Sequence, residues 1–206
     1  MKISFFGVLT LISFLAFGQY KAEKFQTALL EAKYGVLLLY NGKTNSFSLK
    51  FESKSVVPTD KPNFVRIDNI LMQSSISPFT QKLDFNHFDD ATTKKYLAGW
   101  KDYEKKWIEE QLKIALTEKE EFIDLSGRPF LFWSYDMPKT KDKNSVDKQV
   151  YLVTICFDQI LILNGPVEKG KSEETIKDKL MAIAGTLTMN PNQTQDVEKL
   201  YYELKK

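Results

Sequence analysis

The stretch Val150–Leu187, VYLVTICFDQILILNGPVEKGKSEETIKDKLMAIAGTL, decides the fold. Tyr151, Val153, Ile155 and Phe157 alternate with Val150, Leu152, Thr154 and Cys156, so neither parity is polar. Ile160–Leu163 is again solidly apolar. Strands without a wet face belong in the middle of a sheet that is covered on both sides. Asp158-Gln159 leaves room only for a short connection, which makes the two runs an antiparallel hairpin. Ser172 then caps a helix whose first turn carries Glu173 and Glu174, where acids favour the positive end of the dipole. Ile176, Leu180, Ile183, Ala184 and Leu187 form its apolar stripe, and Asn190-Pro191 stops it.

Upstream, Phe130–Trp133 with Tyr135 also leaves no polar face and predicts another central strand. The polar stretch 139–149 between them reads as an insertion within one domain. Residues 91–116 form the clearest helix. Tyr96, Trp100, Tyr103, Trp107 and Ile114 recur at helical spacing, and Asp89 and Asp90 stand ready to cap it. The spacing predicts that Trp100 and Trp107, two turns apart, form its core seam. Val65, Ile67 and Leu71 share one parity of a strand-like segment 63–73, while Phe47, Leu49 and Phe51 alternate with polar residues as a one-sided strand. Asn41-Gly42 marks a turn. The apolar run Tyr34–Tyr40 is a buried strand or a helix end. Phe25, Ala28, Leu29 and Ala32 suggest a short helix over 21–33, and Val197, Leu200, Tyr201 and Leu204 another near residue 200.

From about residue 46 the order is strand, strand, long helix, several strands, hairpin, helix. In this order, and above all in Val150–Leu187, the chain resembles the C-terminal half of PsbP/DcrB-like domains over about residues 46–188. The resemblance implies an α-β-α sandwich around an antiparallel sheet. It also implies a small exported domain, non-catalytic or of unassigned activity, and it brings no shared catalytic residues. The expected organisation is a secretory signal over 1–18, an N-terminal helix/strand extension over 19–45 and a single α+β domain over 46–206. Its antiparallel sheet is expected to be covered by helices on both faces.

Composition narrows the chemistry. The 206 residues hold one Cys and one His, which excludes a disulfide framework within the chain and any multi-histidine or cysteine-based metal centre. Nine Gly and seven Pro exclude a collagen-like or low-complexity chain. A net charge of +2 gives no electrostatic footprint for nucleic acid. Lys2, the apolar run Phe5–Phe17 and Ala16-Phe17-Gly18 follow the order of a cleavable signal, with cleavage before Gln19. The run is shorter than the roughly 20 residues of a spanning helix. The only Cys is Cys156, far from the position a lipoprotein requires. The expectation is a periplasmic or extracellular protein with no lipid anchor and no integral membrane segment after cleavage.

Candidate site residues are few. His87 lies in NHFDD beside Asp89 and Asp90, which can orient an imidazole, although no GxSxG motif supplies a serine partner. Arg128, in the turn Ser126-Gly127-Arg128-Pro129, can present a guanidinium to an anion at a sheet end. Both also have plain readings, as a capping residue and a solvated turn. Cys156 lies in an apolar strand with no basic sequence neighbour, which favours an inert thiol. Glu109/Glu110 and Glu120/Glu121 are carboxylate pairs of the type glycosidases use, and equally the wet face of a helix. Trp100, Trp107 and Trp133 can line a sugar or lipid pocket, or simply pack. No cofactor is implied. The sequence therefore favours a non-catalytic binding or envelope-assembly domain, with an unidentified protein or small molecule as partner. The alternatives are a hydrolase with an unrecognised carboxylate site and a carrier of an apolar or aromatic ligand.

Overall fold

A computed structural model describes residues 20–60, 63–85, 88–139 and 146–206. The expected signal at 1–18, His87 and most of the 139–149 loop lie outside the described residues.

The described residues form a mixed α/β structure of two antiparallel sheets and three helices. The smaller sheet holds strands β1 (Gln26–Ala32), β2 (Gly35–Asn41), β3 (Ser46–Glu52) and β11 (Thr188–Asn190), paired in that order. The larger has seven strands. Its order is β4 (Val56–Pro58), β5 (Phe64–Ile67), β6 (Ile70–Pro78), β10 (Gln159–Glu168), β9 (Val146–Cys156), β8 (Pro129–Asp136) and β7 (Glu118–Asp124). The hairpin β9–β10 and strand β8 are central and buried on both parities, as their sequences demand. The two-residue turn is Phe157-Asp158, one position earlier than the sequence suggested, because Cys156 pairs with Gln159.

The two faces of the large sheet have different covers. Leu131, Trp133, Val153, Ile155 and Ile160 meet Leu97, Trp100 and Ile108 of α1 (Asp90–Leu112). Phe130, Phe132, Leu152, Cys156 and Leu161 belong to the opposite core, with Ile176, Leu180 and Ile183 of α2 (Glu173–Ala184) and with Val36, Leu38, Phe47, Leu49 and Phe51 of the small sheet. That second face is thus shared between one helix and a second sheet. The expectation of a helical layer on both faces treated the two-sided apolar strands as evidence for helices. A sheet buries such a face equally well.

The helix expected over 21–33 is strand β1. Gln, Ala, Leu and Glu are helix formers, but the hairpin with β2 aligns Ala32 with Gly35 and Gln26 with Asn41, and the ladder overrides weak propensity. Gly35 sits at φ +134°, and a Cβ there would lie 2.2 Å from the Phe51 carbonyl oxygen. The single strand read over 63–73 is a hairpin. Asp68 and Asn69 take φ 51° and 65°, the left-handed pair of a tight two-residue turn. Leu71 therefore faces away from buried Val65 and Ile67. Both helix caps expected from the sequence are present: Asp89 accepts from Thr92 N and Ser172 from Thr175 N. The stretch near residue 200 is helix α3 (Val197–Lys205), which packs on β1.

The core seam assigned to Trp100 and Trp107 is corrected. Trp100 is buried, whereas Trp107 is 52% exposed and Tyr103 69%. The stripe that faces the sheet runs through Thr93, Leu97, Trp100, Lys101 and Ile108. Its centre lies about 50° round the helix from Trp100, which leaves Tyr103 and Trp107 outside its edge. Among the described residues, no helix is long and apolar enough to cross a membrane.

Candidate functional site: a cavity between the two sheets

The two sheets do not close completely on one another. Between β2 and β3 on one side and β5, β6 and β10 on the other lies a cavity of about 250 Å³. Leu38, Phe51, Val65, Met72 and Leu163 form its walls, and Leu180 and Ile183 of α2 its end. The alternation of each strand supplies these residues: Leu38 pairs with Leu49, Val65 with Met72, and Leu163 with Ser74. Among the described residues that line it, none is charged. Its mouth lies at the sheet edges, between Thr27 and Leu29 of β1 and Pro58, Thr59 and Phe64.

A polar pair stands in the core beside this cavity. The Tyr40 and Ser74 hydroxyls are 2.8 Å apart, linking the small sheet to the large one across the core. Burial pushes the Tyr40 phenol up to about 12, with the Ser74 hydroxyl opposing and the Cys156 thiol adding to the shift. Ser74 lines the cavity together with Thr27, Thr59, Asn63 and Gln73, so the wall offers neutral hydrogen-bonding groups and no charge.

Of the residues singled out from the sequence, the described ones do not meet here. Arg128 lines a separate depression with Phe88, Asp90, Thr93 and Phe157, and its guanidinium donates to the Ile155 carbonyl oxygen at 2.9 Å. Its turn is a two-residue one, with Ser126 and Gly127 both at positive φ. Asp90 in the same depression works against an anion. Cys156 is fully buried, and desolvation pushes its thiol up to about 12 against a lowering by the nearby Arg128 charge. That basic neighbour comes from the turn between β7 and β8 and is invisible in the sequence around Cys156.

The carboxylate pairs diverge. Glu109 accepts from Leu116 N at 2.9 Å, Glu120 pairs with Lys101 at 2.5 Å and Glu121 with Lys177. Trp133 donates to Glu118 at 2.9 Å and packs on Tyr151, while Trp107 points to solvent, so the three tryptophans share no pocket. Among the described residues there is no cluster of three metal-ligating side chains.

A second polar depression lies at the β9–β10 turn. Asp158 accepts there from Tyr20 Oη at 2.8 Å and Glu23 N at 2.6 Å on one oxygen, and from Gln159 Nε2 at 3.0 Å on the other. Glu23 in turn accepts from Thr44 N, Asn45 N and Asn45 Nδ2. Both carboxylates are engaged in tying the segment before β1 to the two sheets.

Sequence reasoning missed the cavity because it is a property of two sheets facing each other. The signal that existed was the run Tyr34–Tyr40, whose Leu38 lines the cavity.

No protein-family model matches the chain, and no curated protein matches it. Among solved structures the chain is similar to the cyanobacterial PsbP of Synechocystis sp. PCC 6803, known from a solution structure. The identity is 11%, the match covers 84% of this chain and 96% of that one, and the TM-score is 0.42.

Proposed function

We propose that the protein is a non-catalytic binding protein that carries an apolar small molecule between its two sheets. The observation that supports this is the uncharged cavity of about 250 Å³ with a mouth at the sheet edges. An engineered cavity of about 150 Å³ lined by aliphatic and aromatic groups admits benzene, and drug-sized ligands occupy about 300–1,000 Å³. This space lies between those limits. Purification from the native host, followed by denaturing extraction and mass spectrometry, is expected to release a stoichiometric apolar compound. Leu29→Trp, which places a bulky side chain at the partly exposed mouth, is expected to abolish it. Protein that carries no small molecule and whose unfolding temperature is unmoved by 1-decanol overturns the reading.

Export is part of the proposal. Lys2, the run Phe5–Phe17 and Ala16-Phe17-Gly18 support removal of residues 1–18 on the way out of the cytoplasm. Intact-mass measurement of protein recovered outside the cytoplasm is expected to show Gln19 as the first residue. Retention of Met1 in that fraction counts against it.

A further inference from the structure

Taking the inter-sheet cavity as the ligand site, we infer that its ligand is an anionic amphiphile, bound tail-in with its charged head at Lys33 and Lys54. Leu29 and Pro58, at the cavity mouth, also line a shallower surface depression that holds Lys33, Lys54 and Glu31. Cavity and depression therefore adjoin at Leu29 and Pro58, apolar interior on one side and charged rim on the other.

The charges on that rim do not cancel. Glu31 is neutralised by an ion pair with Lys205. Asp60 and Arg66, in the depression on the other side of Pro58, are of opposite sign. Asp68 is held by Lys179 at 2.7 Å and by the Ser53 hydroxyl. Lys33 and Lys54 are exposed and, among the described residues, take no part in an ion pair. They leave two positive charges beside the mouth, against the one carboxylate of Glu52, which is registered opposite Gly35 and acts on Tyr34.

The orientation follows from the cost of desolvation. Inside, a carboxylate would meet no charged partner, only neutral groups such as the Ser74 hydroxyl, and lose its hydration. Outside, it keeps water and gains two cations. The length follows from volume. If six ring carbons occupy about 150 Å³, the space here takes a tail of roughly ten carbons. A single-chain amphiphile of medium length with one anionic group fits both ends.

The test is titration calorimetry of the purified protein with decanoate and with 1-decanol, which share a tail and differ in charge. Both are expected to bind, decanoate more tightly at low salt. The double variant Lys33→Ala/Lys54→Ala alters two exposed side chains. It is expected to weaken decanoate about three- to tenfold at low ionic strength, with the difference shrinking in high salt. Its affinity for 1-decanol is expected to change less than twofold, and Leu29→Trp to remove binding of both. If decanoate binds no better than 1-decanol, or the lysine variant treats both alike, the head assignment is overturned while the apolar cavity stands. If neither compound binds, or Leu29→Trp affects neither, the cavity reading falls and the head assignment with it.

Discussion

At the scale of single residues, Asp158 and Gly35 carry more than their size suggests. Asp158 gathers three donors at the β9–β10 turn, and burial together with its carboxylate holds the Tyr20 phenol up at about 12. Asp158→Ala leaves a phenol and a backbone N–H without their acceptor. A loss of about 1–3 kcal/mol is expected from denaturant unfolding, with faster hydrogen exchange at the Glu23 amide. Gly35→Ala places a Cβ against the Phe51 carbonyl at a φ that L-residues avoid. A cost of about 1–3 kcal/mol in the same measurement is expected from the backbone conformation alone. The tryptophans make a paired prediction. Trp100→Ala empties a buried site against Trp133 and Tyr151 and is expected to cost about 3–5 kcal/mol. Trp107→Ala, on the exposed face, is expected to stay within about 0.5 kcal/mol.

Elements show why some of this was readable and some was not. Central strands announce themselves, because Phe130–Tyr135 and Val150–Cys156 contain almost nothing that tolerates water. Helix α1 was legible as a helix but not in its rotation. Its sheet-facing side carries Lys101 and Glu104, charged residues that pattern reading assigns to solvent. Burial pulls the Lys101 pKa down, and the carboxylates of Glu120, Asp102 and Glu118 more than reverse that, so it stays charged. Glu104 is desolvated there and its pKa is raised. Those partners lie on α1 itself and on β7, an edge strand of charged sequence with no clear strand signature. The rotation of α1 therefore depends on a contact that local sequence does not contain.

The same clamp predicts acid sensitivity. Burial would raise Glu118, but bonds from Lys105 and Trp133 and the Lys101 charge leave it below its ordinary value of 4.5. Glu173, bonded to Lys148 and Ser134, is likewise lowered against its burial. Both carboxylates bind protons more weakly folded than unfolded. Their stabilisation is complete above about pH 4.5 and is lost as pH falls toward the folded-state pKa. Unfolding curves between pH 7 and 3 are expected to show this decline, and Glu118→Gln to flatten it.

For the whole molecule, the sequence shows which strands are central, but not that a second sheet replaces part of the helical cover. Residues 21–33 were the deciding case. Their composition favours a helix, and only pairing with Tyr34–Tyr40 makes them a strand. Once β1 and β2 form a sheet with β3, that sheet has two apolar faces. Val36, Leu38 and Tyr40 meet the large sheet, and Leu30, Leu37 and Leu39 face away from it and are still buried. Helix α3 packs on β1 at that side, held by Lys33 N donating to the Leu204 carbonyl and by the Glu31–Lys205 pair. Removing residues 197–206 is expected to return about two leucines to water, a loss of about 3–6 kcal/mol, and to raise binding of a fluorescent apolar dye.

The position of α3 also sets an order of events during synthesis. Glu31 and Lys205 are 174 positions apart. The leucine-rich face of β1 and β2 leaves the ribosome early, and its lid arrives only after every other element has been made. Closure of that face therefore waits on a contact of long sequence separation, the kind that forms late in folding.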